Sequence, residues 1–519
     1  MLDLPHGCQD FTSCCQYCHM PRCLRRTCKS LFTAVAVQTA LVCLLLSVFP
    51  DRSLAQQLFP LYPAIRSNVI FWEKIYSVYS INSAVIHDRD DLSKVYEVVQ
   101  LVDRDQPGAG RVNQELIDRT LERYQNILQK LATGKTASSA VERKVASMFT
   151  GSRAKKRMAK AAESIRSQRG QKEPFYEGFV RSGAYIDSFK KIFRAHGLPA
   201  ELAYLPHVES SFHTGAYSKV GAAGMWQFTR DTGKRYLQIN DAVDERIDPF
   251  LAAEAAAEYL TNSYRQLGNW PMALTAYNYG TAGMVRACEA KGSYEKIFTE
   301  YCEGYFGFAS RNFYSEFLAA LHVAGKLERN TAIPREKPVH FTEHILPGYI
   351  HITDVKRHFK VSGASLEQLN PALRPPVYSG RKLLPKGYPL RLPPQKNIRT
   401  LTSSLPRSTF SGSQIKDAVH RVKSGENALR IAARHSVSLK DLLAANNLRH
   451  DSKIFAGQKL RIPAAGSASS LKTRRPALLI AADDRNTTTT KSSTTTGSGK
   501  KTLPVLSAEQ SKIHKTATR

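Results

Sequence analysis

Acidic residues are scarce in this chain. Its 519 residues include 44 Asp and Glu against 74 Lys and Arg, which gives a formal net charge of +30 at pH 7. Such an excess of positive charge indicates a polyanionic partner, and nucleic acid, anionic lipid and the acidic bacterial cell wall all fit that description. The charge by itself does not choose among these three.

Cysteines are also scarce beyond the N-terminus, since seven of the nine lie in the first 43 residues. Residues 22–29 carry four basic side chains, residues 31–49 are almost uninterruptedly apolar, and Ser53-Leu54-Ala55 offers the small residues that a signal peptidase reads. We therefore expect residues 1–55 to be a secretory signal peptide, with an uncleaved membrane anchor as the alternative because the apolar run is long. Met20 would start a conventional signal peptide by itself.

Export to the periplasm or cell envelope excludes a DNA-binding role and leaves the cell wall as the favoured polyanion. It also places the two remaining cysteines, Cys288 and Cys302, in an oxidising compartment. A disulfide between them would close a loop worth about 3 kcal/mol in chain entropy. Two free, buried thiols are the alternative.

The composition predicts a mainly α-helical protein with several segments. We expect a helical accessory region and basic linker at 56–172, a compact helical domain at 173–330, small modules at 338–393 and 418–464, and a disordered, basic Ser/Thr-rich tail at 465–519. Within the first segment, residues 151–172 have eight basic residues against one Glu, which is typical of a linker or a solvated helix face. The accessory region has no catalytic or metal-site spacing, so we expect it to pack against the helical domain.

Helix signals are strong within 173–330. Asp248-Pro249 is a cap and first-turn pair ahead of an Ala-rich run that ends at Gly268, and Pro271 begins a helix that Gly280 closes. An apolar stripe of helical spacing precedes them, formed by Tyr185, Ile186, Phe189, Ile192 and Phe193.

A carboxylate falls on another apolar stripe of this domain. Leu198, Leu202, Leu205 and Glu209 lie at helical spacing after a Gly197/Pro199 boundary. Burial favours the neutral acid, which suits a group that donates a proton to a leaving oxygen. The alternative is a structural Glu held by an Arg or by backbone donors.

Residues 419–463 predict a strand, a Gly-containing turn, two short amphipathic helices and a closing strand. Residues 338–393 repeat this pattern more weakly, since SLEQLNPAL is similar to SLKDLLAANNL and YPLRLP is similar to QKLRIP. The sequence therefore predicts two βααβ units, and a repeated unit suits a repetitive ligand.

Three motifs in the helical domain define a constellation. Glu209-Ser210 is followed by GAAGMWQF at 221–228 and by AYNYG at 276–280. In this order and spacing they resemble the lytic murein transglycosylases with a goose-lysozyme-like fold, most closely the membrane-bound lytic murein transglycosylase D group. The C-terminal units resemble LysM domains.

The resemblance implies specific roles. Glu209 would be the single catalytic acid/base and Ser210 a polar partner of the substrate or of that carboxylate. The residues expected to contact sugars are Met225, Gln227, Tyr277, Asn278 and Tyr314, with Phe313 as the alternative to Tyr314. Trp226 would either stack on a sugar or pack in the core. This chain departs from the family at Tyr279, where Ala is usual.

In the second unit the resemblance implies a groove for GlcNAc-containing glycan between two loops. The matching positions are Gly425, Glu426, Asn427, Leu429, Asn447, Leu448 and Ile454. Leu429 and Ile454 also fit a role in the core. The first loop of the 338–393 unit matches poorly, so glycan binding there has little support.

The three motifs hold no second Asp or Glu beside Glu209, although hydrolytic glycosidases use two carboxylates. A lone acid suffices when the substrate's own hydroxyl attacks, which leaves a 1,6-anhydro end. Hydrolytic muramidase activity with Asp231 or Asp244 as second carboxylate is one alternative, and a non-catalytic peptidoglycan-binding protein is another. We expect peptidoglycan strands as the partner, no metal or cofactor, and a monomer.

Overall fold

The computed structural model describes residues 58–446 and 448–463. The expected leader at 1–55, the expected tail at 465–519 and Asn447 lie outside these residues. Across the described ranges no helix is both long and apolar enough to cross a membrane. Helices dominate the described chain, so the prediction of a mainly α-helical protein is confirmed.

The accessory region combines a small sheet with four helices. Its elements are helix α1 (Arg66–Ser77), strands β1 (Ser83–Asp88) and β2 (Val95–Gln100), helices α2 (Ala109–Ala132), α3 (Ala140–Ser147) and α4 (Ala154–Ser164), and strand β3 (Ile165–Arg169). The sheet is antiparallel in the order β2-β1-β3, with Val85 opposite Val98 on one side and Gln168 on the other. Every residue of the central strand β1 is buried.

The segment 151–172 is not a linker, contrary to one of the two expectations for it. It forms α4 and β3, and it completes the sheet. Met158, Ala161 and Ala162 are buried on one face of α4, while its lysines are exposed. The basic residues therefore occupy a solvated helix face, which is the other expectation.

The accessory region packs directly on the helical domain, as expected. Asn68 of α1 donates to the Asn312 side chain at 2.7 Å in a buried bond. Glu73 on the same helix pairs with His322 at 2.8 Å. Apolar residues of α1 belong to the same core cluster as those of the following helices, so the two regions share one core.

The helical domain surrounds one long central helix. Its helices are α5 (Lys172–Ser182), α6 (Ile186–Ala195), α7 (Pro206–Glu209), α8 (Arg230–Gly233), α9 (Pro249–Leu267), α10 (Trp270–Tyr279), α11 (Thr281–Lys291), α12 (Tyr294–Glu300) and α13 (Phe308–Glu328). Helix α13 is buried along most of its length. The predicted helix boundaries at Asp248 and Gly268 are confirmed, because Asp248 accepts two backbone N–H bonds at 3.0 Å and Gly268 ends α9 in the left-handed conformation.

The stripe from Leu198 to Glu209 is not one α-helix. A 3-10 turn at Ala200–Tyr204 precedes the four-residue helix α7. Leu202 and Leu205 are fully buried, whereas Glu209 is only half-buried at the end of α7. The apolar part of the prediction holds, and the carboxylate emerges from the core.

Both C-terminal units have the predicted βααβ order. The first consists of β4 (Thr342–Ile345), α14 (Ile352–Phe359), α15 (Gly363–Leu369) and β5 (Pro389–Leu392), with a short helix α16 (Pro375–Tyr378) in its last loop. After α17 (Ile398–Ser403), the second consists of β6 (Ala418–Arg421), α18 (Ala428–Arg434), α19 (Leu439–Ala445) and β7 (Lys459–Ile462). Each pair of strands is antiparallel, and each unit has its own apolar core.

Candidate active site

The backbone after Glu209 is strained and held in place. Ser211 and Phe212 have φ of 48° and 57°, a left-handed region that costs about 1–3 kcal/mol for each non-glycine residue. Phe212 is fully buried, and Arg181 donates to the Ser211 carbonyl at 2.9 Å. A Cβ on Gly178 would lie 2.7 Å from that carbonyl, so this glycine permits the close approach of α5. The turn fixes the backbone that directly follows Glu209.

Ser210 ties the end of α7 to the GAAGMWQF loop. Its hydroxyl donates to the Met225 carbonyl at 2.8 Å and accepts from the His213 backbone at 3.2 Å. Neither bond involves the Glu209 carboxylate, so the hydroxyl organises the backbone around it.

The loop at 221–228 depends on its glycines. Gly224 has φ of +78°, and a Cβ there would lie 1.8 Å from the Arg246 carbonyl. Gln227 also has positive φ, 50°, and its amide donates to the Gly224 carbonyl at 2.8 Å. Gln227 is half-buried, so it can still present its side chain to a ligand.

The side chains of Met225 and Trp226 pack in the core. Both are fully buried, and the Trp226 indole donates to the Pro249 carbonyl at 3.1 Å. In this structure the Met225 side chain packs in the core and its carbonyl accepts from Ser210; its contact with a sugar stays a prediction. Trp226 has the core role that the sequence left open.

Tyr277 connects the third motif to the loop. Its hydroxyl donates to the Trp226 carbonyl at 2.9 Å, and its ring lies edge-on to Tyr259 at 5.3 Å. Burial and the nearby Glu209 carboxylate raise the pKa of the Tyr277 hydroxyl well above its usual value, so it remains a donor. Asn278 is exposed, and its side-chain carbonyl accepts from Ser310 at 2.8 Å.

Phe313, and not Tyr314, lies beside Tyr277. The rings of Phe313 and Tyr277 are stacked with centroids 6.3 Å apart. Tyr314 is fully buried and donates to the Pro60 carbonyl of the accessory region at 3.0 Å. Successive residues of a helix point in different directions, so Phe313 is the member of this pair that lies beside Tyr277, and a sugar contact at either position stays a prediction.

Tyr279 faces away from Tyr277 and anchors a neighbouring segment. Its ring packs on Phe306 at 5.1 Å, and its hydroxyl donates to the Glu303 carbonyl at 3.2 Å. Cys288 and Cys302 are both free thiols, so the predicted disulfide is not formed in this structure.

The possible second carboxylates differ in their surroundings. Asp244 is buried, and its two oxygens accept from Arg246 at 2.9 and 2.8 Å. Glu316 on α13 was not singled out from the sequence; it is 2% exposed and therefore out of reach of a water in an open cleft. Asp231 is exposed on α8.

Two side chains that the motifs did not point to extend the exposed surface near the loop. Tyr217 and Val220 are 47% and 85% exposed between Glu209 and the GAAGMWQF loop. The backbone of Tyr217 pairs with Ala223, which places this aromatic side chain beside the loop. An exposed aromatic ring within a Ser/Lys/Gly-rich stretch was the available sequence signal.

The predicted glycan-binding residues of the second βααβ unit fall into two groups. Glu426 accepts from His420 and the Lys423 backbone at 2.7 and 2.8 Å and pairs with Arg434. The Lys423 N–H, His420 and Arg434 lower the pKa of Glu426 to about 2, so its carboxylate is an internal anchor. Asn427 likewise caps α18 through the Arg430 N–H.

The other group is accessible. Gly425 turns the first loop with φ of +79°, Leu429 is 62% exposed, and Leu448 and Ile454 are half-buried against the core of the unit. Of these, Leu448 also lines an open, mostly apolar groove of about 550 Å³, together with Leu439, Lys440, Leu443, Ala444 and His450.

Comparison with known families agrees with both predicted resemblances. Residues 188–298 match the transglycosylase SLT domain, and residues 420–463 match the LysM domain. The chain therefore contains a transglycosylase SLT domain within the helical region where the motifs lie, followed by a LysM domain.

The chain is similar to membrane-bound lytic murein transglycosylase D of Escherichia coli strain K12, with 26% identity over 305 residues. The match covers 56% of this chain and 66% of that protein, slightly less than two thirds of its length. Among solved structures, an inactive mutant of lytic transglycosylase Slt from Pseudomonas aeruginosa is similar at 15% identity, over 45% of this chain and 35% of that one. The soluble lytic transglycosylase SLT70 from Escherichia coli is similar at 14% identity, over 46% and 39%. Both have a TM-score of 0.25, which is too low to define a shared overall fold.

Proposed function

We propose that this protein is an exported peptidoglycan lytic transglycosylase that cleaves the MurNAc–GlcNAc β-1,4 bond and leaves a 1,6-anhydromuramic end. The observation that carries the proposal is the convergence of three motifs around Glu209. The Ser210–Met225 bond joins the first motif to the second, and the Tyr277–Trp226 bond joins the second to the third. Glu209 is half-exposed at this junction and interacts electrostatically with Tyr277.

Glu209 acts first as an acid. It donates its proton to the glycosidic oxygen while the N-acetyl group of the muramic sugar assists cleavage of the bond to the leaving sugar. Glu209 then removes the proton from the C6 hydroxyl of the same sugar, whose oxygen bonds to the anomeric carbon and displaces the acetamido oxygen. The carboxyl group ends protonated as it began, and no water is consumed.

The other site residues position the carboxylate and the sugar. The Tyr277 hydroxyl is committed to the Trp226 carbonyl, so it holds the loop and does not transfer a proton. Gln227, Asn278 and Tyr217 are accessible and can contact the glycan. Phe313 supports the Tyr277 ring from beneath.

The proposed targeting rests on the C-terminal LysM domain and the basic charge. The accessible Leu429, Leu448 and Ile454 and the adjoining groove would bind GlcNAc-containing strands, and the net charge of +30 favours the acidic wall. We place the protein in the periplasm or cell envelope as a monomer, with any membrane contact made only through residues 1–55.

Hydrolytic muramidase activity is the second candidate function. The exposed position of Asp231 favours it, because an accessible carboxylate could activate a water. Asp244 is committed to Arg246 and Glu316 is buried, so neither suits a base for water. An Asp231→Asn variant should keep full activity if the substrate hydroxyl is the nucleophile.

Mass spectrometry of digested sacculi tests the proposal. The full chain should release muropeptides that lack one water relative to hydrolysed ends, and Glu209→Gln should release far less of them. Products with only ordinary reducing ends would show the hydrolytic reaction instead. Undiminished release by Glu209→Gln would exclude Glu209 as the catalyst.

A further inference from the structure

The two βααβ repeats correspond in detail. Asn370 follows α15, and its side chain bonds the Arg391 backbone of the closing strand in both directions at 2.8 Å. Asn446 follows α19 and does the same with Arg461 at 2.8 and 2.7 Å. Asn370 is therefore the counterpart of Asn446, and Arg391 the counterpart of Arg461.

The repeats differ where a glycan groove would lie. Ile350 occupies the position of Glu426 in the first loop, and it is fully buried. Its backbone pairs with Leu384 in the second loop through bonds of 3.2 and 2.8 Å. In the described part of the LysM domain, no such bridge joins Glu426 to Ile454, the counterpart of Leu384. In the first repeat, backbone hydrogen bonds therefore join the two loops.

The second loop of the first repeat is joined to the SLT domain. The Asp244 N–H donates to the Ala372 carbonyl and the Arg374 N–H donates to the Ala242 carbonyl, both at 2.8 Å. These bonds flank a bridge between Val243 and Leu373. Ala242 and Val243 are buried in the core of the repeat, so a segment of the SLT domain completes that core.

A buried ion pair strengthens this contact. Arg391 is 3% exposed and pairs with Asp248, which is fully buried and caps α9. Its guanidinium also lies over the rings of Phe250 and Phe341 at 4.9 and 4.8 Å. Removing either partner of a buried pair leaves an uncompensated charge, so this contact is sensitive to substitution of Arg391 or Asp248.

Arg246 connects the interface between the first repeat and the SLT domain to the active-site loop. Two of its nitrogens donate to Asp244, and a third donates to the carbonyls of Gly221 and Phe228 at 2.9 and 3.2 Å. Gly221 and Phe228 are the first and last residues of the GAAGMWQF loop. One buried guanidinium therefore holds both ends of the loop, and its own partner Asp244 is bonded to the first repeat.

We propose that the first repeat, residues 342–392, is a positioning module for the GAAGMWQF loop and not a second glycan-binding module. Arg246 is the positioning residue through which it acts. This inference rests on the proposed function, because the loop matters only if glycan is cleaved beside it.

The test uses the full chain and a matched pair of variants, Arg391→Lys and Arg461→Lys. Both keep the positive charge but lose the planar fork, and Arg461 pairs with Asp241 at the surface. Turnover is measured on soluble, uncrosslinked glycan strands, and binding to insoluble sacculi is measured in a Glu209→Gln background. Arg246→Lys is measured in the same way.

We expect Arg391→Lys and Arg246→Lys to lower kcat/KM on soluble strands by about tenfold or more, with sacculus binding unchanged. Arg461→Lys should keep wild-type turnover. Equal kcat and KM for folded Arg391→Lys, Arg246→Lys and wild type would overturn the inference alone. A loss of sacculus binding in Arg391→Lys but not in Arg461→Lys would also overturn it, because the first repeat would then bind glycan. A wild type without anhydro products would overturn the proposed function and this inference together. If Arg246→Lys fails to fold, Arg391→Lys decides the outcome.

Discussion

The Tyr277 hydroxyl donates to the Trp226 carbonyl at 2.9 Å, which joins helix α10 to a loop about fifty residues earlier in the chain. The bond uses the backbone carbonyl of Trp226, so it forms while both side chains stay packed in the domain. Trp226 is buried and its carbonyl is turned toward the tyrosine. The bond makes the AYNYG and GAAGMWQF motifs one structural unit beside Glu209.

Replacing Glu209 with Gln should reduce the release of anhydro-muropeptides by about 100- to 10,000-fold, because the amide cannot donate or accept the transferred proton. Binding to sacculi should be unchanged, since the LysM domain is intact. A matched Glu201→Gln variant, on the turn just before α7, should keep wild-type activity.

Tyr277→Phe and Tyr314→Phe form a matched pair, because each removes one hydroxyl bonded to a backbone carbonyl. Each should lower the free energy of unfolding by about 0.5–1.5 kcal/mol. Only Tyr277→Phe should also lower kcat/KM, since Tyr314 bonds the accessory region. Urea unfolding and turnover on glycan strands check this. A catalytic defect in fully folded Tyr314→Phe would show that Tyr314 is a site residue.

Met225→Ala should destabilise the protein by about 2–5 kcal/mol, because it leaves a cavity at a fully buried position. Met225→Leu should retain both stability and KM, since the volume is conserved and the carbonyl bond to Ser210 persists. Thermal unfolding and steady-state kinetics separate the two effects. A raised KM in Met225→Leu at unchanged stability would indicate direct contact with the sugar.

The burial of His207 should make the stability of the fold sensitive to acid. Burial, with Arg335 and Arg181 nearby, lowers the pKa of His207 from 6.5 to about 3, and its ring stacks on Phe175 at 4.7 Å. The unfolded chain takes up this proton below pH 6.5 and the folded chain does not, so stability is lost as the pH falls from 6.5 towards 3. The loss is about 1.4 kcal/mol per pH unit.

His207→Phe should flatten this part of the pH dependence in urea unfolding between pH 7.5 and 4. Some slope should remain, because burial also lowers the pKa of His87 to about 4. An unchanged slope in His207→Phe would contradict the assignment to His207.

Helix ends and strand–helix units that depend on neighbouring residues could be predicted from the sequence. The Asp248-Pro249 start of α9 and its Gly268 end follow from capping chemistry, and the two βααβ units follow from alternating apolar patterns. The three motifs likewise led to Glu209, and the family comparisons agree with that constellation.

The remaining features depend on contacts between distant residues or on orientation within an apolar run. GAAGMWQF has no periodicity that shows Met225 to be buried. The choice between Phe313 and Tyr314 depends on a rotation of about 100° along a helix that is buried over most of its length. Arg246 contacts two carbonyls 18 and 25 residues away, and strand β3 pairs with β1 across the whole of α2 to α4. Short-range patterns carry no information about such pairings.

The contact between Arg461 and Asp241 has a consequence for the relation between glycan cleavage and glycan binding. The LysM domain contacts the SLT domain through this surface pair, and Arg381 of the first repeat pairs with Asp441 of α19. A binding module on a flexible tether samples many separations from the catalytic centre, whereas a docked module has one. A glycan strand bound by the LysM groove would then reach Glu209 at a fixed distance from its point of binding. The products from long strands should therefore cluster around one chain length.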